Sequence, residues 1–243
     1  MEWRHDRRVR LCRKAFPRSS VPVQAVTRRD PSAPAFSADC RLCPRLSAHL
    51  ADIRESHPGY HARPVPPFGD PRPGLLVVGL APGMHGANRT GRPFTGDHAG
   101  ILLYETLHRF GFGSQAEALS PDDGLVLKSC RITNAVKCLP PANKPLPAEI
   151  RTCNAYLRAE LHDLAPPAVL ALGTVAHQAV LRALDCRIAE FPFAHGAIHD
   201  PRPGLRLFDS YHCSRYNTQT RRLTPEMFRD IFAGIRRYLD GRG

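Results

Sequence analysis

A glycine-rich run that follows directly on a short apolar segment constrains this chain more than any other feature. Leu75-Leu76-Val77-Val78 passes without a break into Gly79-Leu80-Ala81-Pro82-Gly83-Met84-His85-Gly86-Ala87-Asn88-Arg89-Thr90-Gly91-Arg92-Pro93-Phe94-Thr95-Gly96-Asp97. The first part reads as a strand. The second is a poor core but a good cradle for an anionic sugar-phosphate chain, because glycine lets backbone N–H groups approach a ligand closely. Many open α/β folds place such a turn after a strand, with or without a nucleotide in it, so the rest of the chain decides what it serves.

Alternation of apolar runs and helical patterns gives the framework. Strands are predicted at residues 75–79, 131–136, 168–172 and 205–211, with a weaker candidate at 194–198, and helices at 100–110, 147–164, 174–184 and 225–238. Pro147 and Pro225 suit the first turn of a helix, where the missing N–H costs little, and Thr224 is a candidate N-cap. Strand and helix in alternation imply an α/β fold with a mainly parallel sheet between helices. The proline-rich stretch 58–73 reads as a linker or edge loop.

With 243 residues and 42% hydrophobic composition, one sizeable core is expected. No apolar run approaches the roughly 18 residues of a membrane span. The 34 Lys+Arg outnumber 22 Asp+Glu, giving a net charge of +12. Nearly all of the basic residues are arginine, which pairs bidentately with phosphate and suits a polyanionic partner. Residues 1–36 read as a basic, disordered tail, with Glu2 and Asp6 arguing against a transit peptide, and residues 37–243 as one domain.

Eight cysteines in a chain of intracellular character point to metal or catalysis rather than disulfides. Cys12, Cys130, Cys186 and Cys213 read as small buried hydrophobes. Cys40 and Cys43 form a C-x-x-C, and Cys138 and Cys153 flank a proline-rich segment. A close pair plus two distant thiolates accommodates either structural Zn²⁺ or a [4Fe-4S] cluster.

Three segments together resemble the type-B, family 5 branch of the uracil-DNA glycosylase superfamily: the glycine-rich loop, Thr133-Asn134-Ala135-Val136-Lys137-Cys138, and Tyr211-His212-Cys213-Ser214-Arg215-Tyr216-Asn217-Thr218-Gln219-Thr220. The similarity runs from about Cys40 to Tyr238 in the family's order. It implies a three-layer α/β/α sandwich, a [4Fe-4S] cluster on Cys40, Cys43, Cys138 and Cys153, and excision of uracil and other deaminated or modified bases such as hypoxanthine from double-stranded DNA. A monomer in the cytoplasm, associated with the nucleoid, is the expected context. The alternative is a non-catalytic DNA-binding protein with a structural four-cysteine metal site.

Within that resemblance the chemistry assigns roles. A glycosylase must extrude the nucleotide, stack its base and read the Watson–Crick edge. Phe94 offers the stacking face, and the Asn134 amide donates to O4 and accepts from N3–H of uracil, a polarity that cytosine reverses. His212 is the candidate donor to O2, where charge accumulates as the glycosidic bond breaks. Ser214 is expected on a phosphate, and Arg215 with Tyr216 where the superfamily wedges into the duplex. Gly79, Pro82 and Gly83 shape the base pocket. Ala81 stands where the best-known branch carries a water-positioning aspartate, so the water must be held elsewhere, with Asn88 the first candidate and His85 the second. Gly83 replaces a tyrosine that blocks C5-substituted bases, which predicts a roomier pocket.

Overall fold

The computed structural model describes residues 36–242. The elements run α1 (Pro44–Ser56), β1 (Phe68–Gly69), β2 (Leu75–Gly79), α2 (Ala87–Thr90), α3 (His98–Arg109), β3 (Cys130–Asn134), α4 (Pro147–Leu164), β4 (Ala168–Leu172), α5 (Thr174–Ala183), β5 (Ile198–Arg202), β6 (Leu205–Ser210), α6 (Arg215–Gln219) and α7 (Pro225–Asp240). Six strands form one sheet in the order β1-β3-β2-β4-β6-β5. The inner four are parallel, and both edge strands are antiparallel to their neighbours. All five residues of β2 and of β4 are buried, as continuous apolar runs in a two-sided parallel sheet must be.

Two cores lie on opposite faces of this sheet. Leu76, Val78, Val169 and Ala171 point to one, shared with α1, α4 and α5, while Leu75, Val77, Leu170 and Leu172 point to the other, shared with α3 and α7. This is a three-layer α/β/α sandwich with a mainly parallel sheet. The chain starts its parallel strands at β2, steps outward to β3, then returns to the other side of β2 at β4. A crevice therefore opens beyond the carboxyl ends of β2 and β4, where the following loops diverge.

Two sequence expectations shift. The weak strand candidate at 194–198 gives way to pairing at Ile198–Arg202, because Gly196 turns the chain at φ +79° and Pro201 is tolerated only on an edge strand. Cys186, expected as a small buried hydrophobe, is buried in the core but is disulfide-bonded. Cys130 and Cys213 are fully buried free thiols as expected. The basic tail and Cys12 lie outside the described residues, and no helix among those described is long and apolar enough to cross a membrane.

Candidate active site

The crevice holds a cavity of about 510 Å³ lined by residues from every loop that leaves the sheet's carboxyl edge. Leu80, Ala81, Gly83, Phe94 and Asp97 come from the glycine-rich loop, Asn134 from β3, Gly173 and Thr174 from the β4–α5 turn, and His212, Ser214 and Arg215 from the segment after β6. Phe94 is held at φ +57°, a left-handed conformation that a phenylalanine adopts only under tertiary constraint. Its ring faces His212 with centroids 6.0 Å apart and planes 27° from parallel.

Glycine in this loop makes room for the site's own side chains. A Cβ on Gly79 would stand 2.7 Å from the Phe94 ring, and Asn134 closes in on the same spot. Gly79 also pairs in register with Asn134 across the β2–β3 ladder. The Asn134 side chain is 4% exposed and its Oδ1 has no hydrogen-bond partner. A buried amide oxygen left open costs stability unless a ligand satisfies it.

Asp97 is the functional candidate that sequence reasoning missed. It occupies the N-cap of α3, where a carboxylate ordinarily accepts from its own helix, yet it makes no such bond. Its Oδ2 instead accepts from the Ala87 N–H at 3.2 Å. The carboxylate fills the space of a missing side chain at Gly83, where a Cβ would lie 2.6 Å from Oδ1. Burial pushes its pKa up, opposed by that hydrogen bond and by the nearby charges of Arg89 and His85. Nothing but its position at the loop's end marked it in the sequence.

His212 lines the same cavity, and burial lowers its pKa to about 4. It is a neutral imidazole at physiological pH. Asn217 Nδ2 donates to the His212 carbonyl at 2.8 Å, while Ser214 caps α6 by accepting from Asn217 N at 3.4 Å. Tyr216 on α6 is 70% exposed and stands outside the cavity wall, as do Gly79 and Pro82. Neither candidate for holding the water reaches the wall. Asn88 is fully buried with both amide atoms unpartnered, and His85 is exposed and bonded through Nδ1 to the Tyr60 hydroxyl at 2.9 Å.

The four cysteines meet at a second, nearly closed cavity beneath α1, lined by Cys40, Cys43, Cys138, Cys153, Val136 and Tyr156. Burial pushes the Cys138 thiol to about 12 and the Cys153 thiol to about 11. Polar partners orient two of the sulfurs, with Lys137 N donating to Cys153 Sγ and Tyr156 Oη to Cys40 Sγ, both at 3.3 Å. The Arg45–Glu149 fork, at 2.8 and 2.7 Å, and the buried Lys137–Glu160 pair at 2.6 Å tie the surrounding elements together.

Residues 66–236 match the family described as the uracil DNA glycosylase superfamily. The chain belongs to the uracil-DNA glycosylase superfamily. It is 49% identical over 205 residues to a type-5 uracil-DNA glycosylase of Thermus thermophilus, covering 82% of this chain and 93% of that protein. It is 41% identical over 197 residues to a type-5 uracil-DNA glycosylase of Pyrobaculum aerophilum, covering 79% and 86%. It is 43% identical over 202 residues to a type-5 uracil-DNA glycosylase of Mycobacterium tuberculosis, covering 79% and 75%.

Proposed function

We propose that this protein is a uracil-DNA glycosylase that hydrolyses the N-glycosidic bond of uracil, and of hypoxanthine, in double-stranded DNA. One observation carries the reading: the open Oδ1 of Asn134 sits in one cavity with an aromatic face, a neutral imidazole and a buried carboxylate. The base stacks on Phe94 while Asn134 accepts from N3–H and donates to O4. As the C1′–N1 bond breaks, its electron pair goes to the base, and the His212 N–H stabilises the charge at O2. Water adds to C1′ of the resulting oxocarbenium-like sugar and gives its proton to Asp97, leaving an abasic deoxyribose. Ala81 supplies no base for this water, and Asp97 takes that part. Arg215 and Tyr216, exposed beside the cavity mouth, meet the duplex. Duplexes carrying a single uracil or hypoxanthine, incubated with the protein and then cleaved with alkali, test the reading. Absence of strand breaks at uracil refutes it, and breaks at uracil alone refute the wider substrate range.

The same reading places a [4Fe-4S] cluster on Cys40, Cys43, Cys138 and Cys153. Four thiolates are the ligand set that such a cluster takes, and its iron would favour the thiolate forms that burial opposes. Its role is structural, joining the segment before α1 to the end of β3 and to α4. The protein acts as a monomer at the nucleoid.

A further inference from the structure

The end of β6 that delivers His212 is gripped by a buried side-chain network none of whose members lines the cavity. Asp209, on β6, is fully buried. Its Oδ1 lies 2.8 Å from His177 Nδ1 and its Oδ2 3.2 Å from His199 Nε2. His177, on α5, reaches the carbonyl of Phe191 through Nε2 at 2.8 Å. A carbonyl only accepts, so Nε2 carries a proton, and the Nδ1–Oδ1 contact shares one more. The His177–Asp209 pair is therefore neutral as a unit, wherever the shared proton sits, and each of its side-chain polar atoms is satisfied. These bonds account for the closeness of the trio without a metal.

This network fastens residues 191–199 along β6. Gly196 N donates to the Asp209 carbonyl at 2.9 Å, and Asp209 N to the Ala197 carbonyl at 3.0 Å. The fastened segment carries His195 to the residue just before His212. Tyr211 N–H donates to His195 Nδ1 at 3.2 Å, and the two rings stack with centroids 5.0 Å apart. Burial lowers the His195 pKa, which keeps Nδ1 available as an acceptor. From the other side, Gly173 N–H donates to the Ser210 carbonyl at 2.8 Å and Asn217 holds the His212 carbonyl.

We propose that Asp209, His177 and His199 form a positioning network for His212, acting through His195 on the backbone of Tyr211 to set where the imidazole meets the departing base. The proposal rests on the reading of His212 as the donor to that base. Its test is single-turnover excision of uracil from a duplex by His195→Ala, Asp209→Ala and Asp209→Asn, each alone and in a His212→Ala background, with duplex affinity and Tm measured alongside. Asparagine can bridge the site, donating to His177 Nδ1 and accepting from His199 Nε2, so Asp209→Asn keeps a rate within about threefold of wild type. Asp209→Ala and His195→Ala lose about tenfold or more, because a misplaced group loses rate steeply with distance, while duplex affinity stays within about twofold. In the His212→Ala background these substitutions cost nothing further, since the group they position is gone. Additive losses there, or an Asp209→Asn loss as large as that of Asp209→Ala, overturn the proposal. Should Asp209→Ala not fold, the half-buried His195→Ala carries the comparison. A His212→Ala rate equal to wild type overturns the reading of His212 itself, and is told apart because no network residue is changed.

Discussion

Replacing His212 by alanine tests whether the enzyme stabilises its leaving group by a hydrogen bond or by a proton. Burial takes this imidazole from 6.5 to about 4. At pH 7 such a group is protonated about once in a thousand molecules, so using the imidazolium as an acid would start about 4 kcal/mol uphill. A neutral N–H aimed at developing charge carries no such cost, and removing one preorganised donor of this kind raises barriers by about 2.7–4 kcal/mol. Single-turnover excision by His212→Ala is therefore expected to slow by about 10²–10³ at every pH between about 5.5 and 8. Any loss of wild-type activity on the acid side should belong to Asp97, whose raised pKa removes the anionic acceptor for the water proton as pH falls. That limb should persist in His212→Ala and vanish in Asp97→Asn. Rapid-quench time courses with a uracil duplex across this range provide the measurement. A wild-type rate that rises as pH falls through 6.5, or a His212→Ala rate within threefold of wild type, refutes the reasoning.

Asn134→Ala should abolish most uracil excision while duplex affinity, set by phosphate contacts, changes little in a filter-binding titration; equal losses in both would mark Asn134 as a fold residue. Gly86→Ala places a Cβ onto the Asp97 carboxylate, so both Tm and rate should fall, whereas the same change at Gly59, which meets nothing within 4 Å, should leave both unchanged. Cys138→Ser should lower iron content and solubility together in anaerobically purified protein, and one equivalent of zinc with no iron in the wild type would contradict the cluster. Stability should drop in acid on account of His212. Its folded pKa lies below the unfolded one, so the unfolded chain takes the proton first, and stability present above pH 6.5 is lost between 6.5 and about 4. The loss is about 2–3 kcal/mol once water in the adjoining cavity is allowed for, and urea titrations should show it in wild type and not in His212→Ala.

What the sequence made legible was whatever local pattern alone decides. β2 and β4 fall on their predicted residues because unbroken aliphatic runs leave a strand no alternative to burial on both faces. α4 and α7 begin at their prolines, and Thr224 caps α7 by accepting from Met227 N at 3.2 Å. α1 is faint in the sequence although Leu46, Leu50 and Ile53 repeat with helical spacing and are buried, because three apolar residues among charged and small ones make only a narrow stripe. Asp97 was hidden for a different reason. An aspartate before a helix reads as a cap, and only the folded loop shows its carboxylate turned away from α3.

The rung that pairs Gly79 with Asn134 has a kinetic implication. Ala135 N–H donates to the Gly79 carbonyl at 2.9 Å and Val136 N–H to the Leu80 carbonyl at 3.0 Å, so Asn134 and the start of the loop that carries Phe94 are stitched into the same ladder. The spacing between Asn134 and the first residues of that loop is then set by the ladder. Amide hydrogens of Ala135 and Val136 should exchange with deuterium only on global opening, whereas those of the outer loop exchange through local excursions. Asn134 and the root of the glycine-rich loop would then open together or not at all, while the outer loop moves on its own.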